Sequence, residues 1–329
     1  MSGVKYTNNT LHFMRKIKGL SIILGSVLIL SGCGSANYSL PYSINSYNSN
    51  NTGAKLETFA SDLCVVNSDI SISDVSMSEN SCCGLFDLNN KETLFAKGVH
   101  TQLNPASLTK VMTALVALKY GDLSQTLTAT SNVYISESGA QKINIKAGDT
   151  MTLDQALHIL LIYSANDVAL MIAENIGGSV DEFINMMNQE AISIGATNSH
   201  FANPHGLTAD DHYVTAYDMY LMFNEAMKYD EFQQIIAMSE YSTVYYSSDG
   251  SANEVNIKST NQYLNGNQTA PTGITVIGGK TGTTTAAGHC LILLAKDNSG
   301  NPYISVILRA EDNSTLYTEM STLLQQITG

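Results

Sequence analysis

The sequence predicts an α+β fold: one antiparallel sheet begun near residue 82, completed by strands near the C-terminus, with a helical region between. Three observations predict it. Two short apolar runs, Cys82 to Leu88 and Glu92 to Lys97, flank Asn89-Asn90-Lys91, a hairpin turn. Helix-start signals and helical spacing fill residues 105–229. Three further strand-like runs and a closing helix then follow, and strands, helices, strands, helix is the order of an α+β domain. With 329 residues, 44% hydrophobic and 14% charged, the chain can build one large core or two modest ones. A formal net charge of −13 argues against a nucleic-acid partner, because phosphate binding wants a basic face. No internal repeat of fixed period is apparent.

The chain opens with a targeting pattern. Arg15, Lys16 and Lys18 form a basic cluster, and the apolar run Leu20 to Leu30 is short for a bilayer span. It ends in Leu30-Ser31-Gly32-Cys33, which resembles the bacterial lipobox. The expectation is a lipoprotein signal peptide over 1–32, cleavage before Cys33 and diacylation of that cysteine. Two acyl chains would hold the protein stably on the extracytoplasmic face of a membrane. Without residues 1–32 the chain keeps 12 basic and 29 acidic side chains, a charge of −17 that suits attachment by lipid rather than by a basic patch. Residues 33–55 are rich in Asn, Ser and Tyr without apolar periodicity and read as a flexible tether. The folded domain is expected over 56–329.

Leu63 to Val66 reads as a further short strand. Cys64, Cys82, Cys83 and Cys290 match no zinc pattern; in an exported protein Cys64 could pair with Cys82 or Cys83, or all could be buried free thiols. A helix is expected from Ser107, with Leu108, Val111, Met112, Leu115 and Val116 on one stripe and Gly121 as its C-cap. Thr152-Leu153-Asp154-Gln155 is a capping box, and its helix runs to Tyr163. Asp167 can cap a second helix, Val168 to Ile176, closed by Gly177-Gly178. Ser179-Val180-Asp181-Glu182 opens a third, ending near Gly195, and Thr215 to Tyr229 is a fourth. Thr275 to Lys280, Gly288 to Lys296 and Tyr303 to Arg309 read as strands, with a turn at Asp297-Asn298-Ser299-Gly300. Ser314 to Ile327 closes the chain as a helix.

Three short motifs carry chemistry. Ser107 and Lys110 stand at i and i+3, so a helix places them on one face. A serine hydroxyl is a poor nucleophile until a base takes its proton, and a lysine serves only if burial or a second cation lowers its pKa. Lys280, in Gly278-Gly279-Lys280-Thr281-Gly282-Thr283, can be that cation, and Gly282 would let a substrate backbone approach. Ser164-Ala165-Asn166 places a hydroxyl and an amide at a polar break between two apolar helices.

Ser107-x-x-Lys110, Ser164-x-Asn166 and Lys280-Thr281-Gly282, in this order, resemble the motif set of penicillin-binding proteins and serine β-lactamases. The flanking residues Pro105 to Leu115, Tyr163 to Asp167, Phe201-Ala202-Asn203-Pro204-His205-Gly206-Leu207 and Gly279 to Thr284 are similar to the serine D-alanyl-D-alanine carboxypeptidases of low molecular mass. The resemblance runs from about residue 60 to the C-terminus. It implies the β-lactamase/transpeptidase-like fold, an antiparallel sheet flanked by helices plus an all-helical region with the active site between, and here no C-terminal β-domain. It implies a peptidoglycan stem peptide ending in D-Ala-D-Ala as substrate, β-lactams as inhibitors, and no cofactor or metal. It assigns Ser107 as nucleophile, Lys110 as base and Ser164 as proton relay, with Asn166 holding Lys110 and the substrate amide. Lys280, Thr281, Gly282 and Thr283 bind substrate, the terminal carboxylate meeting Lys280 and the two threonine hydroxyls. The oxyanion would lie between the N–H groups of Ser107 and Thr283.

One departure concerns Asp312 to Tyr317, where the family often carries a carboxylate-binding arginine and this chain has none; Arg309 lies a few residues earlier. His205 and His289 read as loop and strand residues rather than catalytic groups. A class A β-lactamase would need a deacylating glutamate in a Glu-x-x-x-Asn loop, and Phe201 to Leu207 offers none. An endopeptidase, or a catalytically idle penicillin-binding surface lipoprotein, is the further alternative.

Overall fold

The structure, a computed structural model, describes residues 60–73 and 75–328. The signal peptide, Cys33 and the whole of the tether expected above lie outside the described residues.

The first hairpin is β1 (Cys82–Asp87) and β2 (Glu92–Lys97). Asp87 closes its turn by accepting from the N–H groups of Asn89 and Asn90 at 2.8 and 2.9 Å. The helical region holds α1 (Thr109–Tyr120), the short strands β3 (Thr126–Thr128) and β4 (Thr150–Thr152), α2 (Leu153–His158), α3 (Asn166–Gly177) and α4 (Val180–Ser193). After these come α5 (Ala216–Ala226), α6 (Asp230–Ile236), the hairpin β5 (Glu240–Tyr246) and β6 (Ala252–Lys258), and the single turn α7 (Gln262–Asn265). The chain returns through β7 (Thr275–Thr284), β8 (Gly288–Lys296) and β9 (Pro302–Ala310) and ends in α8 (Asn313–Gln325).

The main sheet has the order β2-β1-β9-β8-β7 and is antiparallel throughout. Its middle is the pairing of β1 with β9, from Cys82 opposite Leu308 to Asp87 opposite Tyr303, which joins the two ends of the domain. Side chains alternate across it with period two. Phe86, Ile292, Leu294, Ile304 and Val306 face the helices, where Phe86 stacks on Tyr220 of α5 at 4.2 Å. Leu85, Leu291, Leu293 and Ile307 face α8, through Leu316, Met320, Leu323 and Leu324. Both faces are covered, so these strands read as continuous apolar runs.

Several expectations change. Leu63 to Val66 is not a strand; near it only Ile70 bridges to Ala96. The helix expected from Ser107 opens as a 3-10 turn, Ala106–Leu108, before α1 begins at Thr109. That helix is buried on all sides from Thr109 to Ala117 rather than along one stripe, because sheet and helices enclose it. Asp167 does not cap the next helix from outside but lies in its first turn; its carboxylate accepts from the N–H groups of Ile143, Asn144 and Ile145. The helix expected to Tyr229 stops at Ala226, and α6 was not anticipated. A second antiparallel sheet, β3-β4-β5-β6, joins the one expected. Its sequence signal is the turn pair Asp249-Gly250 between the two runs, in which apolar residues are few. The four cysteines are buried free thiols, Cys64 donating to the Asp87 carbonyl, so neither disulfide forms.

Candidate active site

The three motifs arrive from three directions. Ser107 sits in the 3-10 turn at the head of the buried α1. Lys110 follows one turn along that helix. Ser164 ends a π-helical turn, Ile159–Tyr163, that continues α2, and takes the left-handed conformation with φ 71°. That sharp stop lets Asn166 begin α3 and point back at α1. Lys280 lies on β7, which pairs with β8 and forms an edge of the main sheet.

β7 comes close to the serine turn only because residue 282 is glycine. A Cβ there would stand 2.9 Å from the Ser107 amide nitrogen and 3.0 Å from the Pro105 carbonyl oxygen. Gly206, with φ 89°, approaches the other side of the turn, where a Cβ would overlap the Ala106 carbonyl oxygen.

Lys110 is fully buried, and its Nζ lies 2.8 Å from Ser107 Oγ, 2.6 Å from Asn166 Oδ1 and 2.6 Å from the His205 carbonyl. Burial first, and the Lys280 charge second, hold it well below the usual lysine range. A neutral amine has two N–H donors and one lone pair. The amide and carbonyl oxygens can only accept, so they take both donors. The lone pair is left for the Ser107 hydroxyl proton, the arrangement a general base requires.

Lys280 is also buried, and burial lowers it to about 7. It donates to Ser164 Oγ at 2.9 Å and to the Thr281 carbonyl at 2.8 Å. Thr281 Oγ1 meets Thr260 Oγ1 at 2.5 Å. Ser107, Ser164, Asn166, Thr281, Gly282 and Thr283 line one cleft of about 600 Å³, whose far wall is Glu137 to Gln141. All the motif residues picked out in the sequence therefore converge.

Arg309 does not supply the missing arginine. It lines a neighbouring pocket with Asp210 and Tyr213, while Asn313 and Leu316 stand in the cleft wall. His205 contributes its backbone carbonyl; its ring, lowered to about 3 by burial, accepts from the Leu207 N–H. His289 is a strand residue opposite Thr283, and Cys290 is a buried thiol pushed up to about 12. Sequence reasoning missed the His205 carbonyl, Thr260 and the 137–141 wall. A backbone acceptor carries no side-chain signature; the glycine of Pro204-His205-Gly206 was its only hint.

Comparison with known proteins agrees with the geometry. A family model described as Peptidase_S11, D-alanyl-D-alanine carboxypeptidase, matches residues 73–312. D-alanyl-D-alanine carboxypeptidase DacF of Bacillus subtilis is 36% identical over 149 residues, 44% of this chain and 38% of that protein. DacB2 of Mycobacterium tuberculosis, with the same enzyme name, is 32% identical over 241 residues, 72% of this chain and 78% of that protein. The match spans 38% of DacF and 59% of DacC of Escherichia coli, so the chain covers less than two thirds of the length of some of these relatives. A solved variant of the Streptomyces K15 DD-transpeptidase superposes with a TM-score of 0.69 at 26% identity, over 75% of this chain and 96% of that one.

Proposed function

Because this chain belongs to the D-alanyl-D-alanine carboxypeptidase family of serine peptidases, we propose that it removes the terminal D-alanine from peptidoglycan stem peptides through an acyl-enzyme. The observation that carries the reading is the Lys110 amine, whose two obligate acceptors leave its lone pair to Ser107. Ser107 Oγ attacks the carbonyl between the two D-alanines, and its proton passes to Lys110 Nζ. The oxyanion is met by the N–H groups of Ser107 and Thr283, each such donor contributing on the order of 3 kcal/mol in the transition state. The tetrahedral adduct collapses and the C–N bond breaks as the proton held on Lys110 is relayed through the Ser164 hydroxyl to the departing amine, which leaves Lys110 neutral again. Water then hydrolyses the ester and regenerates Ser107. Lys280, with the hydroxyls of Thr281 and Thr283, holds the terminal carboxylate. Asn166 keeps Lys110 in place and meets the substrate amide.

β-Lactams acylate Ser107 by the same route. The test is labelling by fluorescent penicillin together with D-alanine release from a diacylated peptide ending in D-Ala-D-Ala. Both are expected in the wild type and lost in Ser107→Ala. Labelling without release would favour a penicillin-binding surface protein, and rapid penicillin turnover a β-lactamase.

The basic cluster, apolar run and Leu30-Ser31-Gly32-Cys33 support export and a diacyl anchor at Cys33 on the extracytoplasmic face of the membrane.

A further inference from the structure

Beneath the serine turn lies a buried hydrogen-bond chain that the proposed mechanism does not use. His212 is 1% exposed and Thr109 0%. The Ala202 N–H donates to His212 Nδ1 at 3.0 Å, so the neutral ring carries its hydrogen on Nε2. Burial keeps the ring neutral, lowering it to about 4. Nε2 lies 2.8 Å from Thr109 Oγ1, and Thr109 Oγ1 lies 2.8 Å from the Ala106 carbonyl oxygen. The carbonyl can only accept, so the threonine proton goes to it and the histidine N–H goes to the threonine. The chain therefore runs one way, from His212 through Thr109 to Ala106.

Its end point matters because the Ala106 carbonyl and the Ser107 N–H belong to one planar trans peptide, in which they point in opposite directions. Fixing the carbonyl fixes the N–H. This peptide needs fixing: Ala106 holds φ at 47°, a left-handed conformation that strains a residue with a side chain. Gly206 packs against the same carbonyl, where any Cβ would overlap it. On the opposite side, the Ser107 nitrogen faces β7 at Gly282, the residue before Thr283.

Building on the proposed acyl transfer, we infer that Thr109 and His212 are positioning residues that aim the Ser107 N–H into the cleft as an oxyanion donor. Accepting a bond at the carbonyl also polarises the peptide and strengthens that N–H as a donor. Both side chains are buried and neither lines the cleft, so ground-state binding is not their task.

The test uses Thr109→Val, which keeps shape and removes the hydroxyl, Thr109→Ser, which restores it, and His212→Gln. Two quantities are read in the full chain: the penicillin acylation rate, and the affinity of a peptide boronic acid that forms a tetrahedral adduct on Ser107. Thr109→Val is expected to lower both by a similar factor, about 30-fold, with KM for the peptide substrate changed less than about 2-fold. Thr109→Ser is expected to recover most of the loss, and His212→Gln to fall between. Wild-type acylation by folded Thr109→Val overturns the inference. So does a rate loss without a matching loss of boronate affinity, or a serine variant as slow as the valine one. Should Thr109→Val fail to fold, the same paired readout on His212→Gln decides: equal losses support the inference and unequal ones overturn it. A wild-type chain that is never acylated sinks the peptidase reading itself and this inference with it.

Discussion

Two buried lysines near one hydroxyl set opposite demands on pH. Lys110 acts as base only when neutral, and burial with the Lys280 charge holds it well below its ordinary value of 10.5. In the proposed mechanism Lys280 binds a carboxylate only when charged, and burial lowers it to about 7. The expected profile of kcat/KM rises as Lys110 loses its proton and falls above about pH 7 as Lys280 loses its own. The falling limb should appear in KM for carboxylate-terminated peptides. Lys280→Arg, which stays charged, should remove that limb, and its persistence in the arginine variant would count against Lys280. The same shift has a consequence for stability. Between about 7 and 10.5 the unfolded chain binds more protons at residue 280 than the folded one, so stability rises with pH across that window. Lys280→Met should therefore melt higher than wild type at pH 7, with the gain shrinking toward pH 10, while losing about 100-fold or more in kcat/KM. Calorimetry at the two pH values checks the sign.

Along one element, β7, neighbouring glycines do different work. A Cβ on Gly279 would stand 2.0 Å from the Ile292 carbonyl oxygen inside the sheet, whereas one on Gly282 meets the Ser107 and Leu108 amides at the site. Gly279→Ala should cost stability, about 3 kcal/mol or more in a denaturant titration, because a sheet backbone must move. Gly282→Ala should instead hold most of its stability and lose about 100-fold in acylation rate, because β7 is pushed from the serine turn. Equal effects of the two on melting would sink the distinction. The motif glycine was legible in sequence because its neighbours are chemically marked; the sheet glycine was visible only as part of a Gly-Gly pair. Elements with a sharp period or a capping signal were legible too. β8 runs from Gly288 to Lys296 as expected, and Thr152 and Gln155 form the capping box. The hairpin β5–β6 was passed over, since its strands are short of apolar residues and half exposed. The opening of the serine helix was misjudged because Ala106 adopts a positive φ that tertiary contacts at Gly206 and Thr109 enforce.

At the scale of the whole molecule, the catalytic assembly needs contacts between residues far apart in the chain, and the fold supplies them by closing on itself. β1 pairs with β9, and the sheet thus brings β7 against the head of α1. Where such a body works is then a matter of charge and anchoring. Residues 33–329 carry 12 basic and 29 acidic side chains, a charge of −17. An anionic leaflet repels a body of that sign, so surface electrostatics cannot hold it at a membrane. Within the described residues no helix is long and apolar enough to cross one. We propose that acyl chains on Cys33 supply the membrane attachment, two of which suffice for stable binding where one does not. The expectation is that the wild-type chain made in a bacterial host incorporates labelled palmitate and partitions into the detergent phase. Cys33→Ser should incorporate none and move to the aqueous phase. Its kcat on a soluble D-Ala-D-Ala peptide should stay within about 2-fold of wild type, since substitutions outside the folded core and site rarely change more. Label retained in Cys33→Ser would place the lipid elsewhere. Detergent partitioning retained without label would mean that the apolar run at 20–30 stays attached as the anchor.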